Sequence, residues 1–252
     1  MRTYKGHTGD VLTLAAGLHD NTRDLFLSGS EDCTVRMWDT RLNKPICCIK
    51  TFGDDPVTSV AFSPGASYTI LAAAAKTIYE FDMRGGGVVI RACKQSIVCN
   101  HDEINQIAVN LSGTFVAACD DSGDVKVCDL RRQGALYKSL RGKHTNICHT
   151  VAFRGGGSHD VISGGMDSRI YMWDMQKGKA YHFFDLMDPT VGTSTSKTQQ
   201  TEQKQVLNPA FVYSLACSPD GVCLAAGLGN TEVALFDLKT RELVGRLRGH
   251  QD

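Results

Sequence analysis

The sequence carries no excess of either charge: 27 Lys and Arg stand against 27 Asp and Glu, a formal net charge of zero. That removes the global field that would draw nucleic acid or an anionic membrane to the chain. Long apolar runs are missing as well. None approaches the roughly 20 residues of a membrane-crossing helix, and Met1-Arg2-Thr3-Tyr4-Lys5 contains no signal-peptide core. These absences exclude a membrane partner and make the cytoplasm or nucleus the expected location. Ten cysteines lie at 33, 47, 48, 93, 99, 119, 128, 148, 217 and 223, without a Cys-x-x-Cys pair or a recurring metal-ligand spacing. In a reducing compartment they are expected to be free thiols packed as small hydrophobes. Cys148-His149 comes nearest to a ligand pair, but neighbouring strand residues point to opposite faces.

Catalytic chemistry is lacking in the same way. Gly85-Gly86-Gly87 and Gly155-Gly156-Gly157 are not followed by the Lys-Ser/Thr of a phosphate cradle, and Asp54-Asp55 and Asp120-Asp121 lack a partner base. The glycine runs read as loops and the acid pairs as solvated turns. No catalytic residue, metal, cofactor or small-molecule substrate is expected.

What is present is a repeat. In Leu25 to Arg41, LFLSGSEDCTVRMWDTR, two runs of apolar and β-branched residues flank Gly29-Ser30-Glu31-Asp32, which reads as a hairpin. Comparable units end at Phe81-Asp82, Cys128-Asp129, Trp173-Asp174 and Phe236-Asp237, giving steps of 43, 47, 45 and 63 residues. The long step coincides with a polar insertion, 185–205, whose segment Thr190 to Gln205 has one apolar side chain, Val191, and is expected to be flexible.

Gly6-His7 at the start of the first unit and Trp38-Asp39 at its end resemble a WD-repeat propeller blade of four strands. The resemblance implies an all-β propeller with five recognisable blades, at about 6–50, 51–95, 96–140, 141–184 and 206–248, in a single domain over 1–252. A sixth blade begins at 249–252, and the ring reads as an incomplete seven-bladed one. Arg2-Thr3-Tyr4-Lys5 is the expected outer-edge strand of a last blade. The family's structural tetrad maps onto His7, Ser28, Asp32 and Trp38, and onto His144, Ser163, Asp167 and Trp173. Both sets place Ser and Asp four apart and Asp and Trp six apart. Such a set satisfies buried polar groups jointly and is structural, not catalytic. The other three units have lost parts of it.

A second resemblance follows the WD position. Asp39-Thr40-Arg41, Asp82-Met83-Arg84 and Asp129-Leu130-Arg131 repeat Asp-x-Arg in three consecutive units, while Gln176 and Lys239 break the pattern. On an extended strand such a pair would project to one side. These boxes resemble those of the substrate receptors of cullin-4 RING ubiquitin ligases, which implies docking on the damaged-DNA-binding-protein adaptor through Asp39, Arg41, Asp82, Arg84, Asp129 and Arg131. Asp54 to Pro64, Asp102 to Asn110, Asp120 to Leu130, His144 to Arg154 and Val206 to Ala210 resemble, in order, segments of a seven-bladed WD-repeat protein regarded as a receptor of this kind. The expected function is therefore a non-enzymatic protein-interaction scaffold, with a ligase receptor as its sharpest form. A generic scaffold subunit of another complex is the alternative, and so is a chromatin or RNA reader using Arg131, Arg132, Lys138, Arg141 and Lys143, although only Tyr137 interleaves an aromatic there.

Overall fold

The computed structural model describes residues 3–17, 22–64, 68–85, 87–157, 159–187 and 209–250. Most of the polar insertion and the last two residues of the expected further blade lie outside the described residues.

Each repeat folds as an antiparallel meander. The first sheet is β1 (Val11–Ala16), β2 (Leu25–Ser30), β3 (Val35–Asp39) and β4 (Pro45–Ile49); the second begins with β5 (Val57–Phe62), β6 (Thr69–Ala74) and β7 (Thr77–Asp82). The chain then crosses back. Val89–Ile90, β8, pairs in parallel with β4 of the first sheet before β9 (Gln95–Val98) completes the second. The expected border between the second and third blades at 95/96 is therefore too early, because Gln95–Val98 is the outer strand of the second sheet. The reason is the detour: the chain pairs with the neighbouring sheet first, and only then reaches the edge of β7 at Glu80–Gln95 through Thr77–Val98.

The third sheet is β10 (Ile104–Val109), β11 (Phe115–Asp120), β12 (Val125–Asp129) and β13 (Ala135–Leu140). The fourth is β14 (Cys148–Phe153), β15 (Asp160–Gly165), β16 (Arg169–Asp174) and β17 (Lys179–Asp185); the fifth is β18 (Val212–Cys217), β19 (Cys223–Leu228), β20 (Glu232–Asp237) and β21 (Glu242–Arg248). The innermost strands β1, β5, β10, β14 and β18 pack in sequence, but the series is not closed by β18 on β1, so the propeller is incomplete. Tyr4 is not in a strand: its ring packs edge-on against Phe26 and Trp38, and its hydroxyl donates to the Thr40 carbonyl.

Apolar side chains fill the spaces between sheets. One cluster joins Leu27, Val35 and Met37 to Val57, Ile70 and Phe81; another joins Leu71, Ile78 and Ile97 to Ile104, Val116 and Cys128. Val125 and Leu140 pack with Cys148 and Trp173, and Ile170 and Phe184 with Val212 and Phe236. Innermost-strand side chains also peg adjacent sheets together. Ser59 Oγ accepts from the Ile107 N–H at 3.1 Å, Gln106 Oε1 accepts from the Val151 N–H at 2.9 Å, and Thr58 donates to the Ile104 carbonyl at 2.6 Å.

In the first sheet Trp38 Nε1–H donates to Ser28 Oγ at 2.7 Å, Ser28 Oγ meets His7 Nε2 at 2.7 Å, and His7 Nδ1 meets Asp32 at 2.9 Å. The fourth sheet repeats the chain through Trp173, Ser163, His144 and Asp167 at 2.8, 2.8 and 3.0 Å. Burial pushes the Asp32 carboxyl up, but hydrogen bonds from Thr34, the Thr8 N–H and His7 prevail and hold it at about 2. One serine oxygen thus links tryptophan to histidine in each network. Ser163→Ala leaves Trp173 Nε1–H and the His144 ring without that partner inside the core, so stability falls by about 2–3 kcal/mol in denaturant melts.

The turn after the tetrad aspartate has its own demand. Cys33, Ala75, Gly123, Ser168 and Thr231 all have positive φ, at 58°, 46°, 85°, 58° and 67°, and each lies between the second and third strands of its sheet. Only one is glycine. A left-handed conformation strains residues with a Cβ, and a β-branched one most. Thr231→Gly relieves that strain and raises the unfolding free energy, read from denaturant melts, by about 0.5–1 kcal/mol after the added freedom of the unfolded chain is counted.

Candidate protein-interaction surface

The three Asp-x-Arg boxes share one local geometry. Each aspartate is the last residue of the third strand of its sheet: Asp39 of β3, Asp82 of β7 and Asp129 of β12. The arginine lies beyond the strand, so the pair does not meet across an extended segment as the sequence pattern alone suggests. The carboxylate instead caps a tight turn. Asp39 Oδ1 accepts from the Arg41 N–H at 2.9 Å, and the equivalent distances are 3.0 Å for both Asp82–Arg84 and Asp129–Arg131. The turn brings the guanidinium back onto the same carboxylate, where it binds through two nitrogens.

Arg41 Nε and Nη2 donate to the two Asp39 oxygens at 2.8 and 2.6 Å, Arg84 to Asp82 at 2.9 and 2.5 Å, and Arg131 to Asp129 at 3.0 and 2.9 Å. This fork-on-carboxylate pairing fixes the plane of each guanidinium. The arginine side chains are nevertheless 69, 73 and 61% exposed. Equivalent strands of a propeller run in the same sense, so the three groups stand on one rim over three successive sheets. Arg41 also lies 3.6 Å from Asp24, and Arg131 sits over the Phe115 ring, 5.2 Å from its centre. In the fourth sheet Asp174 holds Lys177 instead, and in the fifth the Asp237 carboxylate accepts from the N–H groups of Lys239 and Thr240. The rim is built by sheets one to three.

The remaining sheets solve their buried polar problem in ways the repeat pattern did not announce. In the second, buried Glu80 receives Lys94 at 2.5 Å, while Phe52, Tyr79 and Phe81 form an aromatic group. In the third, Asn100 donates to buried Asp120 at 2.8 Å, and Cys128 replaces the tryptophan. In the fifth, Glu232 holds Arg246 and Arg248 at 2.8 and 2.7 Å. A readable trace of the last pair was an acidic residue opening one strand, with two arginines two apart on the next. The innermost strands surround a cavity of about 290 Å³ bordered by Leu12, Thr58, Asn105, Gln106, His149 and Tyr213. Among the described residues no cluster of three or more His, Cys, Asp or Glu side chains could hold a metal ion.

Comparison with known proteins agrees with this architecture. The model of the WD domain, G-beta repeat, matches residues 1–39, 91–129 and 134–174. A WD repeat-containing protein 53 homolog of Dictyostelium discoideum is 32% identical over 93% of the chain. The chain carries WD repeats. It spans 64% of the length of that relative. The kinesin-like protein KIF21A of Homo sapiens is 26% identical over 98% of the chain and 17% of its own length. A guanine nucleotide-binding protein subunit beta of Zea mays is 27% identical over 67% of the chain and 44% of its own length. WD-repeat proteins are generally non-enzymatic scaffolds that bind other proteins.

The clamps have a pH consequence. Hydrogen bonds from Arg41 and Arg84 hold Asp39 and Asp82 at about 2, below the usual 3.8. A carboxyl group depressed in the folded state stabilises it above the ordinary carboxylate range, and this contribution disappears as pH falls through the folded value. The difference in denaturation midpoint between the native chain and Asp39→Asn/Asp82→Asn is therefore expected to be constant above pH about 5 and to vanish as pH falls from about 4 to about 2.

Proposed function

We propose that this WD-repeat scaffold is a substrate receptor of a cullin-4 RING ubiquitin ligase, docking on the ligase's damaged-DNA-binding-protein adaptor through the arginine rim. The observation that carries the reading is the threefold repetition of one exposed, carboxylate-oriented guanidinium in consecutive sheets. Chance pairing explains one clamp cheaply, since exposed ion pairs form readily and contribute little to stability. Three equivalent ones provide a spaced set of fixed donors, suited to recognising carboxylates and carbonyls on a protein surface. Activity in the cytoplasm or nucleus goes with this reading.

A scaffold role in another assembly is the main competing account. The chromatin or RNA reading is weaker, because Arg131 is neutralised by Asp129, and Lys138 lies 6.0 Å from the centre of the Tyr137 ring. Both compete in one experiment: affinity capture with the native chain beside Arg41→Ala/Arg84→Ala/Arg131→Ala, with matched thermal melts. The receptor reading expects the native chain to retain the adaptor and the folded variant to lose it by at least tenfold. If the native chain captures no adaptor, or the folded variant captures it equally well, the receptor reading is wrong; retention of other proteins by both would leave the generic scaffold standing.

A further inference from the structure

A cysteine in the connector just beyond the second sheet meets one inside the third in a way the docking surface does not use. Cys99 follows β9, the outer strand of the second sheet, whereas Cys128 lies in β12, the third strand of the next sheet. Their sulfur atoms are 2.9 Å apart, with the Cys128 thiol directed at Cys99. Cys128 is fully buried, but Cys99 is partly exposed. An open cavity of about 610 Å³ reaches Cys99 and is also bordered by His101, Lys126, Ser139 and Arg141. Lys126 is a buried ammonium, its side chain 3% exposed, held by Asp124 at 2.8 Å and Ser139 at 2.7 Å.

We infer that Cys99 and Cys128 form a peroxide-reactive dithiol site whose oxidation joins the second and third sheets by a reversible disulfide. Four observations support it. The sulfurs are already in contact, so no rearrangement of the sheets has to precede bond formation. The more accessible sulfur opens on a cavity large enough for a small hydroperoxide. The Cys128 thiol donates towards Cys99, which stabilises negative charge on the Cys99 sulfur and pulls its pKa below the ordinary thiol value, with Lys126 adding to the effect; the same contact and then burial push Cys128 up. Finally, the fully buried pair Cys119 and Cys148 supplies an internal contrast, since burial pushes the Cys148 thiol up and neither sulfur has surface exposure.

The chemistry balances with a hydroperoxide as the oxidant. The Cys99 thiolate attacks the peroxide oxygen, the O–O bond breaks, and Cys99 becomes a sulfenic acid while hydroxide or alkoxide leaves and takes a proton. The Cys128 sulfur then attacks the Cys99 sulfur, the S–O bond breaks, and the departing hydroxide takes the Cys128 proton as water. Two thiols are oxidised and one peroxide is reduced. A thiol reductant reverses the result by exchange.

The test treats the native chain with increasing hydrogen peroxide, blocks remaining thiols with an alkylating agent, and maps products by mass spectrometry after cleavage beyond Lys94, Glu103 and Lys126, which puts Cys99, Cys119 and Cys128 on separate peptides. The expected result is a Cys99–Cys128 linked product at the lowest oxidant dose that modifies any cysteine, removed by dithiothreitol, together with a Tm that rises by several degrees on oxidation and returns on reduction. Cys128→Ser should lose the linked product and accumulate Cys99 as sulfinic acid. Other cysteines reacting first while Cys99 and Cys128 both stay alkylatable would overturn the proposal, and so would a different disulfide partner for either residue. The mapping on the native chain decides the matter even if a serine variant fails to fold.

Discussion

A four-stranded meander has two faces, and when both are apolar it must be covered twice. The propeller meets this by stacking meanders around an axis, so that each space between sheets is filled from both sides. Five sheets enclose four apolar clusters here, one between each consecutive pair. Everything else in the structure answers to that stacking. The innermost strands come close enough for Ser59 and Gln106 to reach the backbone of the next sheet. Where no sheet follows, apolar side chains stay uncovered: Leu14 of β1 is 68% exposed and Val244 of β21 68%. Tyr4 covers part of the first sheet's outer side and keeps Trp38 buried although it is not itself in a strand.

Stacking sets the second constraint, which is that polar side chains trapped between sheets must satisfy one another. The first and fourth sheets do so with a serine placed between tryptophan and histidine. The others use Glu80 with Lys94, Asn100 with Asp120, and Glu232 with two arginines. These solutions differ chemically but obey one rule: each buried carboxylate is met by a donor. The recurring left-handed residue in the second-to-third strand turn shows that the backbone of each sheet is copied more faithfully than its side chains.

That difference explains what could be read from the chain and what could not. The tetrads at Ser28, Asp32 and Trp38 and at Ser163, Asp167 and Trp173 were readable because three members lie within ten residues on one hairpin, so spacing alone reports them. The Asp-x-Arg pairs were readable for the same reason, although their contact arises from a capped turn rather than from strand alternation. The crossing strand Val89–Ile90 was not readable, because its partner is Cys48–Ile49 in another repeat and two residues leave no periodicity. Missing it moved the border of the second blade away from Gln95–Val98. Asn100 with Asp120, and Cys99 with Cys128, escaped detection because each pair joins a connector residue to a strand 20 or more positions away.

The same division bears on the proposed recognition. A neutral chain whose rim arginines are each paired to a carboxylate casts little long-range field, so steering by net charge contributes little to association. What the rim offers is orientation. Each aspartate binds the turn N–H and the guanidinium together, so the angle of the arginine is set by the end of a strand, and the strand by the stack of sheets. A partner that fits three such planes pays less side-chain ordering than one meeting free arginines. On the proposed docking reading, specificity would follow from the spacing of sheets one to three, which is a property of their packed cores.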